Sequence, residues 1–415
     1  MKFFINSYFG DNHSIGLLSH IKKRLPYGMD DQWMVFSHYT ERGWTVDNLW
    51  HIFTDFYGGQ YAPLAFLSYL VLYAGFGYDP FYFHMFSLLL HIGCVCLVWK
   101  LISSLLRVHG GVSEKQILYV NFITTLLFAV HPINVEAVAW ISALKVLLYA
   151  FFYLLGLLCY LRYIRTSKIF YYVLTIGCFL CSFWGKEQAV TFPLALLIVD
   201  WFTNRNMKNL EVWSEKMSFL IMAFFFGIIT VLSQGKGPYE MIFPLYQRLL
   251  FGCFALVEYI TKSLLPVNLN FFYPFPIVLG EEPPLHYYLY PVVLLFLMGW
   301  IIAYRNNRYL VFGVLLFLVN LLFSIHLFNM SRHAIVADRY MYLSYVGIAF
   351  LIANGIWWLR KRLSYFKAAL VFLFFYCFFL SVYTFHYTKK WENTTMVKKY
   401  TKEVLEKRLN GSNHL

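Results

Sequence analysis

The sequence predicts an all-α fold: a polytopic helical membrane protein with about 10 transmembrane helices, plus interfacial helices on the outer membrane face. Three observations carry that prediction. The 415-residue chain is 60% hydrophobic and only 13% charged, whereas soluble domains average about 25% charged residues. Its apolar residues fall in runs long enough to cross the roughly 30 Å hydrocarbon layer of a bilayer. Its basic residues gather in short connections between those runs: Lys100, Arg107, Lys115; Arg162, Arg165, Lys168; Arg205, Lys208, Lys216; Arg305, Arg308; and Arg360, Lys361, Arg362, Lys367. That clustering is the positive-inside pattern, which puts these connections on the cytoplasmic side.

The net charge of +13 therefore reports topology. The partner it implies is the lipid bilayer, not a nucleic acid. All seven cysteines lie inside apolar runs, and the C-x-x-C at Cys178 and Cys181 lacks the further ligands of a zinc or redox site. Neither G-x-G-x-x-G nor G-x-x-x-x-G-K-[ST] occurs, so a nucleotide as direct substrate is unsupported.

With the basic loops inside, the predicted spans run at 83–104, 117–131, 138–161, 168–185, 188–203, 216–234, 288–304, 308–327, 340–359 and 364–386. The other connections then face outside: His131-Pro132, Gly185-Lys186-Glu187, Gly235 to Tyr239, and Asn329 to Arg339. The stretch 245–265 would break the alternation if it crossed, and Arg248, Glu258 and Lys262 would be costly near the bilayer centre. We read it as an interfacial or re-entrant helix on the outer face. Residues 62–77, short and opened by Pro63, receive the same reading. The expected organisation is an outer N-terminal segment over 1–82, a transmembrane domain over 83–387 and a basic outer tail over 388–415. Residues 1–27 contain no run apolar enough to span, so the outer segment either is carried across by the first span or follows a helix lost upstream of Gly28. An integral multi-pass membrane location follows, in a bacterial inner membrane or, in a eukaryotic host, the ER membrane.

The ionisable residues outside the basic loops collect on the outer face. Asp30-Asp31 opens the first outer segment. Adjacent carboxylates raise one another's pKa, giving a general base, or hold a divalent cation; a helix cap is the plain structural alternative. His131 ends one span beside Pro132 and is either a donor to a substrate oxygen or a structural group. Glu136 opens the next helix, where the macrodipole favours a carboxylate. Lys186-Glu187 is either a self-compensating ion pair of little energetic worth or a cation offered to a phosphate.

The densest signal is Asn329 to Tyr342. Arg332 and Arg339, with His333 and flanking tyrosines that include Tyr340, suit the phosphate oxygens of an anionic lipid headgroup. Asp338 beside Arg339 is instead a structural neutralising pair if the two bond. A lipid-phosphate-linked sugar fits the whole set: arginines grip the leaving phosphate and a carboxylate deprotonates an acceptor hydroxyl.

At these residues the chain resembles the GT-C superfamily of integral-membrane glycosyltransferases, and within it the transmembrane and TPR-containing O-mannosyltransferase-like proteins and their bacterial relatives. The matching stretches are Asp30-Asp31-Gln-Trp, Tyr61-Ala-Pro-Leu, Asp79-Pro-Phe-Tyr-Phe-His84 and His131-Pro-Ile-Asn-Val-Glu-Ala-Val-Ala-Trp140. Further along come Lys186-Glu-Gln-Ala-Val-Thr-Phe-Pro193, Leu265-Pro-Val-Asn-Leu-Asn-Phe-Phe-Tyr-Pro274 and Val336-Ala-Asp-Arg-Tyr-Met-Tyr342. The resemblance implies a polyprenyl-phosphate-sugar donor, an acceptor glycan, lipid or protein, inversion at the sugar carbon, and an essential acid at Asp30 or Asp31. It also implies phosphate binding around Arg332 and Arg339, with Lys186 and His333. His131, Glu136, Glu187, Asp338 and Tyr340 are then substrate-binding candidates. No cofactor is called for beyond a divalent metal as one option at the acids.

The chain departs from the family pattern in three places. The family's first transmembrane helix is not found in residues 1–27. Ser142-Ala-Leu-Lys-Val146 replaces a Gly-Arg-Lys-Asp pattern, so only Lys145 carries over. TPR repeats do not follow the membrane domain. Two further function classes stand beside the transferase: a transporter or lipid flippase, which usually carries ionisable groups at mid-membrane on broken helices, and a non-catalytic scaffold.

Overall fold

The computed structural model describes residues 30–234, 243–326, 334–392 and 395–403. Among these residues the fold is all-α. The only extended pairings are the isolated bridges Tyr57 to Gln60 and Tyr273 to Val336. In chain order the helices are α1 Asp31–Met34, α2 His38–Glu41, α3 Val46–Thr54, α4 Pro63–Phe76, α5 Pro80–His109, α6 Glu114–Val130, α7 Val135–Ala139 and α8 Leu144–Thr166. They continue with α9 Ile169–Gly185, α10 Phe192–Phe202, α11 Leu210–Gln234, α12 Leu245–Leu264, α13 Leu289–Ala303, α14 Arg308–Leu321, α15 Met341–Trp358 and α16 Leu363–Lys389.

Local chemistry sets many of these boundaries. Pro80 starts α5 at the one helical turn where a missing N–H costs nothing, and the Asp79 carboxylate accepts the Phe81 N–H. Ser113 caps α6 through the Gln116 N–H. Asn307 caps α14 through the N–H groups of Tyr309 and Leu310. Each cap satisfies donors that the first turn leaves without an intrahelical partner.

All ten predicted spans contain a helix. Among the described residues, six helical segments are long and apolar enough to cross a bilayer: Pro80–His109, Ile141–Thr166, Leu210–Ser233, Leu285–Ala303, Asp338–Lys361 and Leu363–Lys389. A seventh arises if Glu114–Val130 and Pro132–Ala139, bent by 50°, form one broken span. Pro63–Phe76, Ile169–Gly185 and Arg308–Leu321 are apolar but shorter. The chain is an integral multi-pass membrane protein. Its helix α12, which the sequence expects at the interface, buries Gln247, Phe251, Ala255, Tyr259 and Lys262 along one stripe.

Helix α8 is the central element, packed along α5 and α9, while α15 runs between α6 and α14. Where α14 meets α15 the backbones nearly touch. A Cβ on Gly347 would lie 2.5 Å from the Gly313 carbonyl oxygen, the close approach that small residues permit between membrane helices. Residues from α1 to α4 form a second apolar cluster, including Met34, Tyr39, Ile52, Phe66 and Tyr69, that closes onto Ile141, Leu144 and Leu148 at the start of α8. The Tyr69 hydroxyl donates to the Ile141 carbonyl at 2.9 Å. The acidic pair is thereby held against the N-terminal end of α8.

Candidate active site

The site forms where α1, the α6–α8 connection, the α9–α10 connection and the start of α15 meet. Glu136 lies on α7, fully buried. Its carboxylate receives Arg339 twice: the guanidinium Nη1 at 2.5 Å and the backbone N–H at 2.7 Å. Arg339 belongs to a 3-10 turn, Asp338–Tyr340, that opens α15. Its guanidinium also sits 5.3 Å from the Trp140 ring centre and 5.2 Å from that of Tyr340, within cation–π range.

Trp140 joins this pair to the acids. Its indole N–H donates to Asp31 Oδ2 at 3.2 Å, and the Ser142 N–H donates to Oδ1 at 2.9 Å. The Ser142 hydroxyl bonds the same oxygen. Asp31 is 1% exposed. Burial pushes its carboxyl up to about 6, against the opposing pull of the Ser142 and Trp140 hydrogen bonds, with the neighbouring Asp30 charge adding to the rise. Asp30 differs from its neighbour. It is half-buried, stands at the start of α1 without capping the helix through its side chain, and exerts its charge on Lys145 and Arg339.

The raised Asp31 pKa has a stability consequence. Between the ordinary carboxyl value of 3.8 and about 6 the folded state holds a proton that the unfolded state has lost, so stability falls as pH rises through that window. The shift is worth about 3 kcal/mol. Thermal unfolding in detergent from pH 4 to 7 is expected to show a declining melting temperature that Asp31→Asn flattens. An equal slope in both proteins would assign the pH dependence to other groups.

Two lysines complete the cluster. The Lys145 ammonium, at the start of α8, donates to Gln60 Oε1 at 2.5 Å and lies 3.7 Å from the Met34 sulfur. Gln60 ends a tight turn in which Gly58 adopts φ +59°, and a Cβ there would meet the Trp33 ring at 2.5 Å. The turn thus braces both α1 and Lys145. The Lys186 ammonium is buried 4.7 Å from the Tyr340 ring centre and has no hydrogen-bond acceptor. Burial brings it down to about 8, opposed by the charge of Glu187.

The structure resolves several of the alternatives left open by the sequence. Lys186 and Glu187 influence each other electrostatically, yet Lys186 forms no hydrogen bond to its neighbour. Arg339 pairs with Glu136, not with adjacent Asp338. Asp338 points away toward α12, where the Tyr273 hydroxyl lies 2.9 and 3.0 Å from its two oxygens and the Lys262 ammonium lies at 3.9 Å. His131 Nδ1 accepts the Ile133 N–H at 3.2 Å and its ring packs on Tyr345, centroids 4.2 Å apart, while its buried Nε2 has no hydrogen-bond partner. Arg332 and His333 lie outside the described residues.

Sequence reasoning missed Trp140, Ser142 and Gln60 as members of the site. Trp140 follows Glu136 by four residues but lies just past the end of α7 in extended backbone, so helical spacing gives no signal for it. Among the described residues no three His, Cys, Asp or Glu side chains are grouped so as to hold a metal ion.

Comparison with known proteins gives the same direction. No family model matches the chain, and no solved structure matches it. The protein O-mannosyl-transferase TMTC2 of Mus musculus is 32% identical over 189 residues, which cover 41% of this chain and 21% of the mouse protein. The Drosophila melanogaster protein O-mannosyl-transferase Tmtc3 is 28% identical over 172 residues, 37% of this chain and 18% of the fly protein. Human protein O-mannosyl-transferase TMTC4 is 31% identical over 167 residues, 35% and 22% of the two chains. The matches thus span about a fifth of the relatives' length, and over that stretch the chain is similar to the TMTC protein O-mannosyl-transferases.

Proposed function

We propose that the protein is a membrane glycosyltransferase of the GT-C type, moving a sugar from a polyprenyl-phosphate donor to an acceptor hydroxyl at the outer membrane face, with inversion. The observation that carries this reading is the convergence of Asp30, Asp31, Glu136, Lys145, Lys186 and Arg339, from distant parts of the chain, at one end of an apolar helix bundle. Charged groups at such depth are costly and mark functional sites by default. The names of the relatives support sugar transfer as the reaction class.

In the proposed reaction Asp30 is the base. It is the acid of the pair not saturated by donors from the fold, whereas Asp31 already accepts three hydrogen bonds. The acceptor oxygen gives its proton to Asp30 and attacks the anomeric carbon from the face opposite the phosphate. The bond from that carbon to the phosphate oxygen breaks, and its electron pair leaves with the polyprenyl phosphate. Asp31, fixed by Ser142 and Trp140, orients α1. Arg339, fixed by Glu136, keeps positive charge facing the donor.

The test is sugar transfer, or donor hydrolysis, by the purified protein with a panel of short-chain polyprenyl-phosphate sugars. Turnover of at least one donor is expected. No turnover with any donor, in protein that remains folded in micelles, would overturn the reading in favour of a scaffold or a transporter.

A further inference from the structure

Trp140 holds Asp31, yet no helix of its own fixes its ring. It stands just past the end of α7 in extended backbone, φ −86° and ψ 117°. The aim of its indole N–H at Asp31 Oδ2 therefore depends on what packs against it, and two aromatic walls do so. Phe271, in the connection between α12 and α13, meets the indole edge-on with centroids 5.2 Å apart. Trp391, just beyond α16, lies 6.3 Å away at 34° and meets Phe271 edge-on at 6.1 Å. The chain that follows α16 anchors both walls. Trp391 is buried against Tyr387 in the last turn of α16, centroids 6.3 Å apart. Residues 395–403 are helical and reach the same connection: buried Thr401 donates its hydroxyl to Asn270 Oδ1 at 2.9 Å, and that oxygen also accepts the Phe271 N–H at 2.9 Å. The Lys390 ammonium, 3.4 Å from the Tyr400 ring centre, joins the two ends of this segment.

We propose that Trp391 is a positioning residue for the acidic pair: by walling in the Trp140 indole it fixes Asp31, and with it the helix α1 that presents Asp30. The catalytic part of this assignment rests on the transferase reading above. The Trp140 and Ser142 bonds to Asp31 tie α1 to the α7–α8 connection, so a swing of the indole moves the carboxylate that takes the acceptor's proton. A displacement of about 1 Å at a reacting group can cost on the order of 100-fold in rate. Arg339 is held separately, by its two bonds to Glu136, so donor binding does not share that dependence. The wall also keeps water from Asp31. Burial is the main cause that raises this carboxyl to about 6. With the wall open, water reaches the carboxyl and replaces the indole as donor, and its value falls toward 3.8. The loss of stability with rising pH across that window then shrinks. Among the described residues, Asp30 on α1 and the Tyr69 hydroxyl on α4 are the titratable groups that interact by charge with Asp31, and both stay in place in the variants below.

The experiment compares Trp391→Leu, Trp391→Phe and Thr401→Val with the wild type, each as the full-length protein in micelles. One readout is kcat and donor KM for a short-chain polyprenyl-phosphate sugar, per folded molecule. The other is the melting temperature from pH 4 to 7. Trp391→Leu is expected to lower kcat by about ten-fold or more with donor KM unchanged, and to lose much of the pH-dependent decline that Asp31→Asn flattens. Trp391→Phe keeps an aromatic wall and is expected to restore both readouts. Thr401→Val removes only the hydroxyl that clamps Asn270 and is expected to move both in the direction of Trp391→Leu, which keeps the proposal open to test if loss of the tryptophan prevents folding. A merely loosened fold lowers the melting temperature at every pH alike. An unchanged slope in folded Trp391→Leu, or in Thr401→Val if Trp391→Leu does not fold, would therefore overturn the link from Trp391 to Asp31. A reduced slope with wild-type kcat would overturn the positioning of Asp30. Losses in Trp391→Phe as large as in Trp391→Leu would overturn the aromatic wall as the cause. The two readouts also separate this proposal from the one beneath it. A reduced slope in Trp391→Leu, with no transfer by the wild type from any donor, leaves the link to Asp31 and removes the transferase. Transfer by the wild type with unchanged slope and kcat in Trp391→Leu removes the link and leaves the transferase.

Discussion

Asp30→Asn lowers sugar transfer by about 10²–10⁴-fold, the contribution of a positioned general base, and leaves the melting temperature of the protein close to that of the wild type. Asp31→Asn lowers both. The difference follows from what surrounds each acid. Asp30 is half-buried at the mouth of the cluster, and no donor from the fold is lost when its charge is removed. Asp31 is buried beneath the Ser142 N–H, the Ser142 hydroxyl and the Trp140 indole N–H. An asparagine there turns its own N–H groups toward at least one of those donors, and each buried donor left unmatched costs about 1–3 kcal/mol. The measurement pairs initial rates of transfer with thermal unfolding for both variants. A folded Asp30→Asn that transfers at the wild-type rate would remove Asp30 as the base. If a folded Asp31→Asn then lost all activity, the base would be Asp31.

The helical class and the longest apolar helices were legible in the sequence because the bilayer imposes a one-dimensional rule. A run of about 20 apolar residues satisfies every backbone group internally only as a helix, so apolar runs translate directly into elements such as α5, α11 and α16. The site was legible in part for a related reason: ionisable residues such as Glu136, Lys186 and Arg339 stand out wherever apolar residues dominate. Their pairing was not legible. Asp338 and Arg339 are neighbours in sequence, yet a 3-10 turn sends one toward Tyr273 and the other toward Glu136. The partner of Arg339 lies 203 residues away, and only tertiary packing specifies it. Trp140 escaped for a different reason. In a chain that is 21% aromatic one more tryptophan carries no signal until its N–H is seen to meet a buried carboxylate.

The positive-inside pattern concealed a second role for two of its own residues. Arg205 and Lys216 belong to the basic connections of that pattern, and both gather around Asp200. Lys216 and Asp200 are fully buried and paired. Arg205 Nη1 bridges Asp200 at 3.1 Å and Glu215 at 2.6 Å. The Tyr160 hydroxyl approaches Asp200 at 2.8 Å and Glu215 at 3.2 Å. Tyr160 lies sixteen residues beyond Leu144 on α8, roughly 24 Å at the helical rise per residue, so this network closes the end of the bundle opposite the acidic pair. It ties α8, α10 and α11 together through charge. Removing one member strands another in a medium where an unpaired ion is costly: losing a partner of a buried pair typically costs about 3–5 kcal/mol, while replacing both by apolar residues is often neutral. Lys216→Met is therefore expected to destabilise by about 3 kcal/mol, the low end, because Asp200 keeps Arg205 and Tyr160. Adding Asp200→Leu to Lys216→Met should recover most of that loss, since the buried carboxylate left with one of its two cations is then gone and Arg205 keeps Glu215. Chemical unfolding in micelles of the two single variants and the double variant gives the coupling directly. Strict additivity would show that the two charges do not stabilise each other. A coupling of several kcal/mol, with transfer activity per folded molecule unchanged, would show that this end of the protein holds the helices in register and takes no part in the chemistry at the other.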